Sequence, residues 1–206
     1  MSSDDTSHLA PLEVDPARIA VPTIRGYVYQ TARTALAWAN LEPDELLYVE
    51  GAEDFDVLGR YTESNQVKDY RRNITLRSDA VMEVIGTSWI TRAANSTRDV
   101  RYRLLTTAAA SSELGNPFGM PGIDYWNELA RANYSADRAP AVRKIADFLL
   151  ANLRLPDAMA QFLRDSNAEE VHARVISILT FDGGFTNGHI EELGDGVRDK
   201  GAVGQT

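Results

Sequence analysis

The chain has 206 residues and a mass of 22.7 kDa, with 44% apolar residues, no cysteine, three histidines and a formal net charge of −9. One cored domain fits that size, while disulfide frameworks, thiolate nucleophiles, Fe–S clusters and cysteine-ligated zinc are excluded. The acidic total argues against nucleic acid until it is divided: residues 1–59 carry −8, residues 60–104 carry +4 and residues 105–206 carry −5.

Residues 1–22 are polar and acidic, with three prolines and no periodicity, and read as a flexible arm. Gly26–Asn40 reads as a helix through Tyr27, Ala32, Ala35, Leu36 and Ala39. Leu46–Val49 is a short apolar strand leading to Glu50-Gly51. Asp54–Leu58 and Asn65–Tyr70 alternate on either side of a turn at Gly59–Ser64, as a β-hairpin does. Alternation places Asp54 and Asp56 on one face of their strand and Gln66 and Lys68 together on the next. Ser78 opens a helix whose stripe is Val81, Met82, Ile85, Trp89 and Ile90, and Val100–Thr107 is a further strand. Asn116–Gly122 reads as an ordinary loop, with Phe118 and Met120 the alternative candidates for probing DNA or contacting a partner. Asp124–Tyr134, Ala139–Leu153 and Pro156–Arg164 read as helices. Val171–Phe181 is ambiguous, with Val175–Phe181 a possible strand. Trp38, Trp89 and Trp126 lie on apolar stripes and read as core. His172 reads as a surface residue and His189 as a loop residue. Seven of the 14 glycines follow Asp182, so residues 182–206 read as a linker or tail, leaving a domain at residues 23–181.

Several chemistries lack their motif. There is no G-x-x-x-x-G-K-[ST], no G-x-S-x-G and no H-E-x-x-H, and Gly115, Gly119 and Gly122 lack dinucleotide-binding spacing. No apolar run approaches the ~18 residues of a membrane span and no basic-then-apolar leader is present, so a cytoplasmic protein with no membrane partner is expected. One constellation remains: Asp54 and Asp56 facing Gln66 and Lys68, with Glu50 upstream. Carboxylate and carboxamide oxygens suit a hard divalent cation, and an adjacent lysine positions an attacking water and offsets phosphate charge. Exposed strand faces also carry such residues without function.

Gly26 and Tyr29-Gln30 on the first helix, Glu50 at a strand end, Asp54, Gln66-Val67-Lys68 and the helix near Ser78 together resemble the PD-(D/E)xK restriction-endonuclease-like nucleases. The closer resemblance is to the Gln-x-Lys variant found in nuclease effector domains of bacterial anti-phage defence, either cyclic-oligonucleotide-activated or fused to signalling NTPases. It covers roughly residues 24–107. The resemblance implies an α/β fold, a mixed central sheet flanked by helices, with additional C-terminal helices. It also implies a Mg²⁺-dependent (or Mn²⁺-dependent) endodeoxyribonuclease that cuts double-stranded DNA with little sequence preference and is activated by oligomerisation. Asp54 and Gln66 would hold the metal with the Val67 carbonyl, and Lys68 would be the catalytic lysine. Asp56 competes with Asp54, and Glu50 is a further metal candidate. Gln30 would support the site, although it reads equally as an ordinary hydrogen-bonded helix residue.

Gln66 is neutral where the family more often has Glu, which leaves Asp56 or Glu50 to compensate. The excess acid at Glu50, Glu53, Asp54 and Asp56 then falls where a cation would neutralise it. Arg71, Arg72 and Arg77 follow the lysine and are placed to meet DNA phosphates. The implied partners are double-stranded DNA, further copies of the chain, and a sensor or NTPase module in the same longer chain or another one. Two alternatives are a catalytically inactive nuclease-like module for DNA binding or oligomerisation, and an RNA nuclease.

Overall fold

The computed structural model describes residues 21–70, 72–151 and 154–184. Nearly all of the arm, Arg71, His189 and all but the start of the glycine-rich tail therefore lie outside the described residues. Helix α1 (Val21–Ala39) is followed by strands β1 (Leu46–Val49), β2 (Phe55–Leu58) and β3 (Thr62–Lys68), helix α2 (Asp79–Ala94) and strand β4 (Val100–Thr106). Helices α3 (Gly122–Arg131), α4 (Ala139–Leu150), α5 (Asp157–Asp165) and α6 (Ala168–Val171) then lead to strand β5 (Leu179–Asp182). The sheet order is β1-β2-β3-β4-β5. The first three strands are antiparallel neighbours; β4 runs parallel to β3, and β5 parallel to β4. This is an α/β protein with a five-stranded mixed sheet flanked by helices.

Boundaries move where local chemistry differs from the sequence pattern. Helix α1 reaches beyond Gly26 to Val21, the first of the described residues. Strand β3 starts at Thr62, since the Gly59 N–H closes a short turn on the Tyr61 carbonyl at 3.1 Å. Ser78 sits at the N-cap of α2, but its hydroxyl accepts from the Thr75 N–H at 2.9 Å instead of capping the helix. The ambiguous 171–181 segment divides. A capping box between Asn167 and Glu170 starts α6, which runs into a π-helical turn (His172–Ile176) before β5.

The two faces of the sheet are unequal. On one face Tyr102 and Leu104 of β4 join Val81, Met82 and Ile85 of α2 and the buried Trp126, Ile145, Leu149 and Met159 of the later helices. On the other, α1 covers a small cluster of Tyr29, Phe55, Val67 and Leu105. Each fully buried large side chain contributes about 1.5–3 kcal/mol, so the first face carries most of the stability.

Four residues take up roles other than those the sequence suggested. His172 is buried, its Nε2 donating to the Leu129 carbonyl at 2.9 Å. Phe118 is buried too, stacked 4.8 Å from Tyr125 and edge-on to Phe148, and Met120 packs against the same core, so this loop is not a free probe. Trp38 is 68% exposed; of the three tryptophans Trp126 is fully buried and Trp89 partly so.

Candidate active site

Side chains at paired register positions share a sheet face. The β2–β3 register pairs Asp56 with Ser64 and Phe55 with Asn65, so Asp56, Ser64, Gln66 and Lys68 lie on one face. Parallel pairing of Gln66 with Leu104 and Lys68 with Thr106 makes it the α2 face. The common face expected from alternation is therefore present for Asp56, Gln66 and Lys68, while Asp54 falls before the paired register.

The two aspartates are held differently. Asp56 is buried, and both its oxygens are taken: Oδ1 accepts from the Ser64 hydroxyl at 2.6 Å and Oδ2 from the Ala52 N–H at 2.8 Å. The turn wraps closely around it, for a Cβ on Gly51 would stand 2.1 Å from Asp56 Oδ2. Glu50, at φ 56°, starts this turn in the left-handed region, and its N–H donates to the Asp54 carbonyl at 3.0 Å. Asp54 lies one residue before β2, and its Oδ2 accepts from the Val67 N–H at 2.6 Å. That bond brings its carboxylate against the Gln66-Val67-Lys68 segment. Its other oxygen takes no hydrogen bond from the described residues.

Gln66 supplies a buried polar atom without a partner, as the hydroxyls of Tyr29 and Tyr102 also do. Its Oε1 is buried and has no hydrogen-bond partner among the described residues. A buried acceptor left unmade costs about 1–3 kcal/mol, so such an atom calls for a ligand or a functional reason. Lys68, half-buried beside it, makes no ion pair among the described residues.

The local field is acidic. Burial raises the pKa of Glu53, the charge of Asp54 raises it further, Lys68 opposes this, and Asp56 and Glu83 add to the rise. Burial pushes Tyr102 up to about 12, with the charges of Glu53 and Asp56 adding to the rise and that of Arg92 opposing it. Ser64 and Glu83 did not stand out in the sequence. Ser64 continues the alternation of Gln66 and Lys68 backwards by one step; Glu83 gave no signal beyond an acidic residue early in a helix.

Gln30 reaches Glu50: its Nε2 donates to Glu50 Oε1 at 3.3 Å. Glu50 is thus tied to α1 at the exposed end of β1. Beyond Lys68, Tyr70, Arg72, Asn73, Ile74 and Arg77 line an open groove of about 620 Å³ that ends at the start of α2. Arg72 is exposed, whereas the Arg77 guanidinium sits 5.0 Å over the Phe148 ring. The other arginines of the basic segment belong elsewhere. Arg103 lies on the α1 face, bonded to Glu63 at 3.1 Å and through two nitrogens to Asp182, and Arg101 lies over Tyr61. The +4 segment is therefore split between the two faces of the sheet.

Among the described residues no three histidine, aspartate or glutamate side chains converge as a cation-holding group. The oxygen donors on neighbouring residues are the Asp54 carboxylate, bonded to the Val67 N–H, and the orphaned Gln66 carboxamide, donor types that suit Mg²⁺, which keeps several of its waters. No family model, no curated protein and no solved structure matches the chain. No helix among the described residues is long and apolar enough to cross a membrane.

Proposed function

We propose that the chain is a metal-dependent endonuclease domain that hydrolyses double-stranded DNA with little sequence preference, an effector of bacterial anti-phage defence that works when assembled. The observation that carries this reading is the buried, unpartnered Oε1 of Gln66 beside an Asp54 carboxylate pinned to the next residue. The order of elements supports it: a helix, three antiparallel strands, a helix and a parallel strand, with Asp54 just before β2 and Gln66-Val67-Lys68 at the end of the adjacent β3. In this reading Asp54, Gln66 and the Val67 carbonyl hold Mg²⁺ or Mn²⁺. A cation there supplies charge stabilisation at the phosphate and acidifies a bound water. Asp56 takes no part as a ligand, because both of its oxygens are already bonded; it fixes the turn that presents Asp54. Gln30 orients Glu50 at the margin. Lys68 positions the attacking water and offsets negative charge in the transition state. Arg72, on the groove beyond it, meets phosphates flanking the scissile bond.

The exposed apolar face of α1 supports a second reading, an inert nuclease-like module kept for self-association. Supercoiled plasmid and RNA, each incubated with the chain in Mg²⁺ and in EDTA, separate the readings. Plasmid cleavage that needs Mg²⁺ and disappears in Asp54→Asn is expected. Cleavage of RNA alone, or of neither substrate at concentrations where the chain is assembled, contradicts the proposal.

A further inference from the structure

Helix α1 faces the wrong way for a surface helix. Its charged residues are Arg25 and Arg33. Arg25 is bonded to Asp69 at 2.8 Å, and Arg33 is 8% exposed beneath the helix. The outer face carries instead Ile24, Tyr27, Val28, Thr31, Ala35 and Trp38, all exposed and none charged. Ile24, Tyr27, Val28 and Trp38 are 58%, 69%, 54% and 68% exposed. The hydroxyl of Thr31 is bonded to the Tyr27 carbonyl at 2.9 Å, which turns its donor inward to the helix backbone. An isolated surface helix normally places its apolar stripe inward and its charges in water. Contiguous apolar patches of more than a few hundred Å² on a monomer mark interaction sites.

We infer that the outer face of α1 is an interface between two copies of this chain, packed as antiparallel helices with the twofold axis at Thr31. Residues 24, 28, 31, 35 and 38 alternate spacings of four and three, the seam along which paired helices interlock. The stripe is complementary to its own reverse. Turning it about Thr31 sets Ile24 against Trp38 of the second copy and the large Tyr27 against the small Ala35. Thr31 meets its own copy where the axes cross and a small side chain is required. Isologous pairing of this kind needs no second surface.

The four large side chains expose on the order of 600 Å², and with Thr31, Ala35 and the rim this approaches the ~800 Å² that each partner gives to a standard interface. At −9 per chain, two copies repel overall, and a stripe free of charge is where they can approach. The candidate active site lies on the other face of the sheet, so pairing leaves both sites open. The inference is independent of the nuclease reading.

Sedimentation of the chain without DNA or metal tests it. A concentration-dependent dimer is expected, with its dissociation constant raised about a hundredfold or more by Trp38→Glu or Tyr27→Glu at unchanged circular dichroism. The chain has no cysteine, so single-cysteine variants report position cleanly. Thr31→Cys should link two copies under mild oxidation far faster than Ser96→Cys, and Tyr27→Cys mixed with Ala35→Cys should link across the seam. A monomer at every concentration overturns the inference, including one that dimerises only after removal of residues 1–20. So does a dimer unaffected by the α1 substitutions.

Discussion

At the scale of single residues, two adjacent acids with the same side chain have acquired different work. Asp56 is a structural carboxylate enclosed by Ser64, Ala52 and Gly51, and Asp54 is a carboxylate with one oxygen to spare. Gly51→Ala is expected to cost about 1–3 kcal/mol, because its Cβ overlaps Asp56 Oδ2. In an Asp56→Ala background the same change should cost almost nothing, since the overlapping oxygen is gone. Denaturant unfolding of the four proteins of this cycle reads the coupling, and additive losses contradict it.

Glu53 gives a second prediction. Its pKa is raised by burial and by Asp54, so its contribution to stability is complete below its unfolded value and is lost as pH rises through the raised folded one. Glu53→Gln should therefore gain stability relative to the parent as pH rises from acid to neutral, and Mg²⁺ should narrow the gap. A Tm difference independent of pH contradicts this account.

The shared face of Asp56, Gln66 and Lys68 was legible in the sequence because strand side chains alternate with period two, whatever covers the sheet. The different bonding of Asp54 and Asp56 was not, because it depends on a backbone N–H that the turn places at Ala52 and on the hydroxyl of Ser64, the register partner of Asp56 on β3.

Among the elements, periodicity finds a stripe but not what covers it. Trp38 lies on a helical apolar repeat, as do Val142 and Ile145, yet α4 turns its stripe into the core and α1 turns its stripe out. The reason lies in the other side of α1. There Tyr29 joins Phe55, Val67 and Leu105, while Arg25 and Arg33 find acidic or buried surroundings along the same flank.

The strand at 179–182 was hard to place for a related reason: its outer edge is satisfied by side chains rather than by another strand. Asn127 donates to the Phe181 carbonyl at 2.8 Å and accepts from the Phe181 N–H at 3.0 Å, and Trp126 Nε1 donates to the Leu179 carbonyl at 2.9 Å. No local pattern marks an edge that is sealed by residues more than 50 positions earlier. Asn127→Leu should leave two backbone groups of β5 unpaired and cost about 1–3 kcal/mol. Hydrogen exchange at the Phe181 amide is expected to accelerate well beyond that of β4, and unchanged protection contradicts the assigned role.

Across the whole molecule, the net charge of −9 is less informative than its placement. The basic stretch that suggested a DNA strip divides between a groove beyond Lys68 and an ion-pair network on the α1 face. A single copy therefore offers few unpaired cations to a phosphate backbone, and its binding should be weak and strongly salt-dependent. Two copies joined through α1 would double that contact without any new cation.

The role proposed for Lys68 is chemistry rather than stability. It rests on a half-buried ammonium with no ion pair among the described residues, next to an orphaned carboxamide oxygen. Because no ion pair among the described residues is lost, and only the longer-range attraction to Glu53 goes, Lys68→Ala should change the unfolding free energy by no more than about 1 kcal/mol. The most direct measurement is the rate of plasmid cleavage in Mg²⁺ by the parent and by Lys68→Ala at equal DNA occupancy. The account predicts a fall of at least about a hundredfold in the variant; cleavage at the parent rate would contradict it.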